Sequence, residues 1–118
     1  MLPLLKWSAS GRVVNVSSGL GSLTYNSDPN SEFAAYRLIG YNASKAALNM
    51  LTVQLSEELR NTPHVVNSVS PGYVKTDLTR GNGYLTPDQA AKTPVTFALL
   101  GDEAVSGRFV GTNGEIAW

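Results

Sequence analysis

The stretch Tyr41-Asn42-Ala43-Ser44-Lys45 places a phenol and an ammonium group four residues apart at the start of a long amphipathic segment. Four residues are about one turn of an α-helix, so the two side chains share a face if the segment is helical. A cation held near a phenol stabilises the phenolate, which suits the phenol to proton transfer at neutral pH. The stretch therefore indicates chemistry as well as fold.

The helix that this stretch opens is predicted to begin at about residue 34 or 40 and to end at residue 60. It carries two apolar stripes at helical spacing, the first at Ala47, Leu48, Leu51, Leu55 and Leu59 and the second at Ala43, Ala46, Met50 and Val53. One stripe can face a sheet, and the other needs a helix of the same chain or the same helix of another subunit. A homo-oligomer formed through residues 41–60 is therefore expected.

A β-branched run flanks the helix on each side. Residues 13–16 form a short strand that ends in Ser17-Ser18, and residues 65–69 form a second strand that ends in Ser70-Pro71-Gly72. Strand, helix and strand make a βαβ unit, which places ligands at the carboxyl ends of its strands. Ser18, Tyr41 and the Pro71-Gly72 turn should therefore meet there.

The rest of the chain completes one α/β domain over residues 1–118. Residues 20–32 are polar and read as a long loop, and Thr86-Pro87 is a helix start with Thr86 as the N-cap. A last strand is predicted at residues 107–111, followed by a turn at Asn113-Gly114. The apolar residues near the amino terminus are interpreted as the last turns of a helix.

Composition excludes several classes of function. Nine basic and nine acidic residues give a net charge of zero, which argues against a nucleic-acid or anionic membrane surface. The chain has no cysteine and only one histidine, so thiolate metal sites, histidine clusters and a Ser-His triad are not expected. No apolar run reaches the roughly 20 residues that span a bilayer, and a cytoplasmic location is the simplest expectation.

These residues resemble the carboxyl-terminal half of the short-chain dehydrogenase/reductases. That family carries a strand ending in serine, a Tyr-x-x-x-Lys helix and a Pro-Gly turn, which match Ser18, Tyr41 with Lys45, and Pro71-Gly72. The resemblance implies part of a Rossmann-like, doubly wound parallel sheet with three strands and flanking helices. It also implies an oxidoreductase that uses NADP or NAD to interconvert a small-molecule alcohol and a carbonyl.

The resemblance assigns roles to individual residues. Tyr41 would give or take the substrate hydroxyl proton, Lys45 would stabilise the phenolate and bind the cofactor ribose, and Ser18 would bind the substrate oxygen. The segment Pro71-Gly72-Tyr73-Val74-Lys75-Thr76 is similar to the family's Pro-Gly-x-x-x-Thr turn. There the backbone at Val74 and the Thr76 hydroxyl would hold the nicotinamide carboxamide. No metal site is implied.

Nothing in the sequence resembles the family's Gly-x-x-x-Gly-x-Gly turn, which binds the cofactor pyrophosphate. The asparagine that completes the family's catalytic tetrad is missing as well. A second hypothesis is therefore a truncated, non-catalytic remnant that acts as an oligomerisation or interaction piece. In the family's strand order, the strand at residues 13–16 would be left with an unpaired apolar edge.

Several residues allow a second interpretation. Only the resemblance favours Ser18 over Ser17, since adjacent serines commonly end strands and cap turns. Tyr36 lacks a cation at helical spacing and is interpreted as a loop or packing residue, and His64 as an exposed or hydrogen-bonded surface residue. Thr76-Asp77 could equally start a helix. The loops at residues 20–35 and 78–85 should set substrate choice.

Overall fold

A parallel sheet forms the centre of the computed structural model, which describes residues 1–102 and 104–118. Two β-branched segments, β1 (Arg12–Val16) and β2 (Val65–Val69), pair in parallel from Arg12 opposite Val65 to Val16 opposite Val69. The strand β3 (Phe109–Gly111) pairs in parallel with β2, and β4 (Gly114–Glu115) pairs antiparallel with β3. The strand order β1-β2-β3-β4 confirms the prediction of a partial Rossmann-like α/β fold.

Four α-helices surround this sheet in the described residues: α1 (Leu2–Trp7), α2 (Leu23–Ser27), α3 (Ile39–Glu58) and α4 (Pro87–Ala98). The helix α3 connects β1 to β2, which confirms the βαβ unit. The helix α4 starts as expected, because the Thr86 hydroxyl accepts from the Gln89 N–H while the Gln89 side chain accepts from the Thr86 N–H.

The core lies around β2, whose five residues are all buried. Both α3 and α4 pack against β1 and β2. On one side of the sheet Ser68 of β2 bonds to Thr52 of α3, and on the other side Arg12 of β1 bonds to the carbonyl of Leu100, just after α4. Burial on both faces is consistent with three valines among the five residues of β2.

The strand β1 lies at the edge of the sheet, as the resemblance implied. It pairs only with β2 among the described residues, and all but its last residue are partly buried. Val16 is 49% exposed. No helix in the described part of the chain is long and apolar enough to cross a membrane.

The predicted pattern of apolar stripes on α3 is wrong in part. The two fully buried residues of α3 are Asn49 and Thr52, whereas Leu51 of the first stripe is 54% exposed. Polar side chains occupy the sheet-facing side because each finds a partner there: Thr52 Oγ1 accepts from Asn15 Nδ2 at 2.8 Å and lies 2.7 Å from Ser68 Oγ.

Three other expectations need correction. The polar loop after β1 contains α2 and the 3₁₀ turns Gly19–Gly21 and Glu32–Ala35, because Ser18, Ser22 and Ser31 accept backbone N–H groups as N-caps. The last predicted strand is shorter than expected and is followed by the unexpected β4, whose pairing the turn before Gly114 makes possible. His64 is buried rather than exposed, and its Nδ1 accepts from the Gly11 N–H at 2.8 Å.

Replacing a valine of the central strand should cost far more stability than replacing one at the edge. Val66 is fully buried, whereas Val16 is 49% exposed. We expect Val66→Ala to lower the free energy of unfolding by about 2 kcal/mol, because it removes buried methyl groups and leaves a cavity. Val16→Ala should change it by less than about 0.5 kcal/mol. Urea unfolding of both variants measures the difference, and equal losses would contradict this description of the core.

Candidate active site

The carboxyl ends of β1 and β2 meet at one edge of the sheet, as the sequence predicted. The Ser17 N–H donates to the Val69 carbonyl at 2.8 Å, which extends the strand pairing by one residue. The Gly19 N–H then donates to Ser70 Oγ at 3.2 Å, joining the two strand ends. The candidate residues lie along this edge of the sheet.

Tyr41 and Lys45 stand on one face of α3, in its first two turns. Lys45 Nζ donates to the Val16 carbonyl at 2.9 Å and lies 5.7 Å from the centre of the Tyr41 ring. The carbonyl bond anchors the ammonium group, and a cation at this distance interacts favourably with the ring face. Tyr41 is 38% exposed, so its ring remains reachable from solvent. The arrangement can present a phenol to a ligand with a fixed positive charge beside it.

The two adjacent serines have different environments. Ser17 is 3% exposed, and its hydroxyl donates to Asn49 Oδ1 at 2.7 Å. Ser18 is partly exposed, and its Oγ accepts from the Leu20 N–H at 3.2 Å. An oxygen that accepts a bond still has its own proton to donate. Ser18 can therefore donate to a ligand, whereas the Ser17 proton is used within the core.

The predicted Pro71-to-Thr76 segment forms an ordered turn beside the end of β2. Gly72 has φ of +88°, a backbone conformation that side chains other than glycine rarely adopt, so the turn favours glycine at this position. Val74 forms an isolated parallel bridge with Leu85. Thr76 begins a turn rather than a helix, because its carbonyl accepts from the N–H groups of both Thr79 and Gly81.

The predicted carboxamide contacts fit what this turn offers. Thr79 Oγ1 donates to the Val74 carbonyl at 2.7 Å and accepts from the Thr76 N–H at 3.0 Å. Within the described residues the Val74 N–H and the Thr76 hydroxyl make no hydrogen bond. One backbone donor and one hydroxyl are groups that an amide ligand needs.

A cavity of about 650 Å³ lies beside the candidate residues rather than over them. It is bounded by the segment after β1 and by the first two turns of α3. Its wall includes Leu20, Leu23, Ile39 and Ala46. Tyr36 also lines it, in agreement with its interpretation as a loop residue. Ser18, Tyr41 and Lys45 do not line it. The position of the cavity would therefore not by itself have identified Tyr41 and Lys45 as candidate residues.

Three asparagines near the site were not predicted from the sequence to have a role there. Asn26, Asn42 and Asn49 all bond to segments that flank Ser18 or Tyr41. Asn42 and Asn49 lie inside α3, where asparagine is a poor helix former, and this mismatch is the signal that could have singled them out.

Comparison with known proteins gives a consistent result. The model of the family described as short chain dehydrogenase matches residues 1–84. Salutaridine reductase of Papaver bracteatum is 34% identical over 142 aligned residues, covering 92% of this chain and 45% of that protein. C-signal of Myxococcus xanthus is 38% identical over 120 aligned residues, covering all of this chain and 68% of that protein.

A solved structure agrees with the sequence matches. The NADPH-bound carbonyl reductase from chicken fatty liver superposes with a TM-score of 0.75 at 30% identity, covering 99% of this chain and 49% of that one. The chain thus spans about half the length of that structure and of the first curated relative, and about two thirds of C-signal.

Proposed function

Because the chain belongs to the short-chain dehydrogenase family, we propose that it carries the catalytic half of an NAD(P)-dependent oxidoreductase that interconverts an alcohol and a carbonyl. The observation that carries this proposal is the anchored Lys45 ammonium group, 5.7 Å from the Tyr41 ring and bonded to the carbonyl of Val16, two residues before Ser18. This arrangement supports Tyr41 as the proton donor and acceptor.

The side chains have separate tasks in the proposed reduction. A nicotinamide, when bound, supplies the hydride, because protein side chains do not. Negative charge then develops on the carbonyl oxygen, where the Ser18 hydroxyl donates a hydrogen bond and the Tyr41 hydroxyl donates its proton. The Lys45 ammonium group stabilises the phenolate that results. In the reverse direction Tyr41 accepts the proton of the alcohol.

Binding of NADP or NAD is supported by residues and relatives together. The resemblance assigns Lys45 to a ribose hydroxyl, and the Val74 N–H and Thr76 hydroxyl, which make no hydrogen bond among the described residues, can hold a carboxamide beside the Pro71-Gly72 turn. The chicken carbonyl reductase is described as NADPH-bound. A small-molecule alcohol or carbonyl as substrate is supported by the salutaridine and carbonyl reductases.

The second candidate function is an interaction or oligomerisation piece. It is favoured by an apolar face of α3 that is exposed to solvent, which we call the outer face of α3 and which comprises Ala43, Ala47, Met50, Leu51 and Val53. Exposed apolar faces of this kind mark sites of association. A second copy of α3 is a suitable partner, since alanines at two of the five positions permit close approach. The chain would then form a homo-oligomer through residues 41–60.

Removing the phenol hydroxyl should separate catalysis from cofactor binding. We expect Tyr41→Phe to lower kcat by a hundredfold or more while the Kd for NADPH stays nearly unchanged, because the ring remains and only the transferable proton is lost. Lys45→Ala should weaken both turnover and nucleotide binding. Tyr36→Phe and Lys92→Ala are the matched controls and should leave both unchanged.

The decisive measurement is a titration of the purified chain with NADPH and NADH, followed by nicotinamide fluorescence and by turnover of a carbonyl substrate. Saturable binding that Lys45→Ala weakens and Lys92→Ala does not would support the oxidoreductase. Wild-type turnover in Tyr41→Phe would refute the proton-transfer role. A folded chain without nucleotide binding would favour the interaction piece.

A charge placed on the outer face of α3 should dissociate the proposed oligomer. Met50 is 58% exposed, and burying a carboxylate there without a partner is unfavourable. We expect Met50→Glu to shift the sedimentation profile to the monomer. The control Leu99→Glu, at the end of α4, should leave the profile unchanged. A wild-type chain that is monomeric at all concentrations tested would exclude this interface.

A further inference from the structure

A pair of asparagines links the segment after Ser18 to the helix turn that carries Tyr41. Asn26, in α2, donates through Nδ2 to the Leu20 carbonyl at 2.9 Å and to the Ser22 carbonyl at 2.7 Å. Its Oδ1 accepts from Asn42 Nδ2 at 3.1 Å. Asn42 directly follows Tyr41, so one side chain joins the two sides of the candidate site.

The side chain of Asn42 donates two hydrogen bonds, whereas its buried oxygen accepts none among the described residues. Its Nδ2 donates to both Asn26 Oδ1 and the Tyr36 carbonyl, the latter at 2.9 Å. Its Oδ1 is buried and has no hydrogen-bond partner among the described residues. A flipped amide would set an oxygen against two acceptors, so the orientation is determined by the two donated bonds. An unsatisfied buried acceptor is unfavourable, and such an atom in a folded protein calls for an explanation.

The link continues to the Ser18 hydroxyl itself. The Leu20 N–H donates to Ser18 Oγ at 3.2 Å, and the carbonyl of Leu20 is the group that Asn26 holds. From Ser18 Oγ the path therefore runs through Leu20, Asn26 and Asn42 to the backbone beside Tyr41. Each step of this path is a hydrogen bond or a short stretch of covalent chain.

We propose that Asn26 and Asn42 are positioning residues that set the separation of the Ser18 hydroxyl and the Tyr41 phenol. The proposal rests on the proposed oxidoreductase function, in which both groups must reach the same substrate oxygen. A displacement of about 1 Å in such a pair can cost a hundredfold in rate. The unsatisfied Asn42 Oδ1 is then the cost of directing both amide hydrogens toward Asn26 and Tyr36.

The first test is NMR spectroscopy of the whole chain with labelled tyrosine rings and backbone amides. The Tyr41 ring signal is assigned by its loss in Tyr41→Phe. Asn26→Ala and Asn42→Ala should each move the Tyr41 ring signal and the Ser18 amide signal. The double variant should move them no further than the larger single change, because both residues act on one path. The control Asn30→Ala, an exposed asparagine of the same loop, should move neither signal.

An isosteric variant separates the effect of the Asn42 hydrogen bonds from the effect of its side-chain packing. Asn42→Asp keeps the shape of the side chain but sets a carboxylate against the Tyr36 carbonyl and Asn26 Oδ1. We expect it to move the Tyr41 and Ser18 signals at least as far as Asn42→Ala does. If Asn26→Ala does not fold, Asn26→Asp replaces it, since it keeps the acceptor for Asn42 and loses the donor to Leu20 and Ser22.

Turnover provides the second arm. In a chain that reduces a carbonyl substrate, Asn26→Ala and Asn42→Ala should lower kcat tenfold or more, with the KM for NADPH within twofold of the wild-type value. Unmoved Tyr41 and Ser18 signals in both variants, or additive shifts in the double variant, would overturn the proposal. If Tyr41→Phe keeps its turnover, the proposed function fails, and the NMR arm still decides whether the asparagine pair positions the two groups.

Discussion

The parallel pairing of β1 with β2 is the constraint on which the candidate site depends. Strands that point the same way bring their carboxyl ends to one edge, and the helix that connects them must start at that edge and run back along the sheet. The first turns of α3 are therefore the ones that carry Tyr41 and Lys45, level with the end of β1. Farther along the same helix, Thr52 lies level with Asn15 and Ser68, in the middle of the sheet.

Polar contacts set the rotation of α3 about its own axis. An all-apolar stripe would tolerate a small rotation or shift, since apolar packing is not directional. The hydrogen bonds from Ser17 to Asn49 and from Asn15 to Thr52 are directional, and breaking them would leave buried groups unpaired at a cost of about 1–3 kcal/mol each. This network keeps Lys45 directed at the Val16 carbonyl. Burial of polar residues in the helix thus serves the geometry of the site.

The sequence was sufficient for the features that depend on local pattern. The β-branched runs predicted β1 and β2, Thr86-Pro87 predicted the start of α4, and the resemblance predicted the partial Rossmann-like sheet. Features that depend on distant partners were missed. The burial of Asn49 depends on Ser17, 32 residues away, and the burial of His64 depends on the Gly11 N–H, 53 residues away. The assignment of Ser18, Tyr41 and Lys45 to catalysis is still a prediction.

Among the described residues β1 pairs on one side only, and this one-sided pairing affects how the molecule responds to its surroundings. The unpaired backbone groups of an edge strand are a template for a further strand. Any polypeptide that supplies one adds backbone hydrogen bonds to the folded form and leaves the unfolded form without them, so it stabilises the fold by mass action. Resistance to proteolysis and to heat would then depend on the concentration of such a polypeptide.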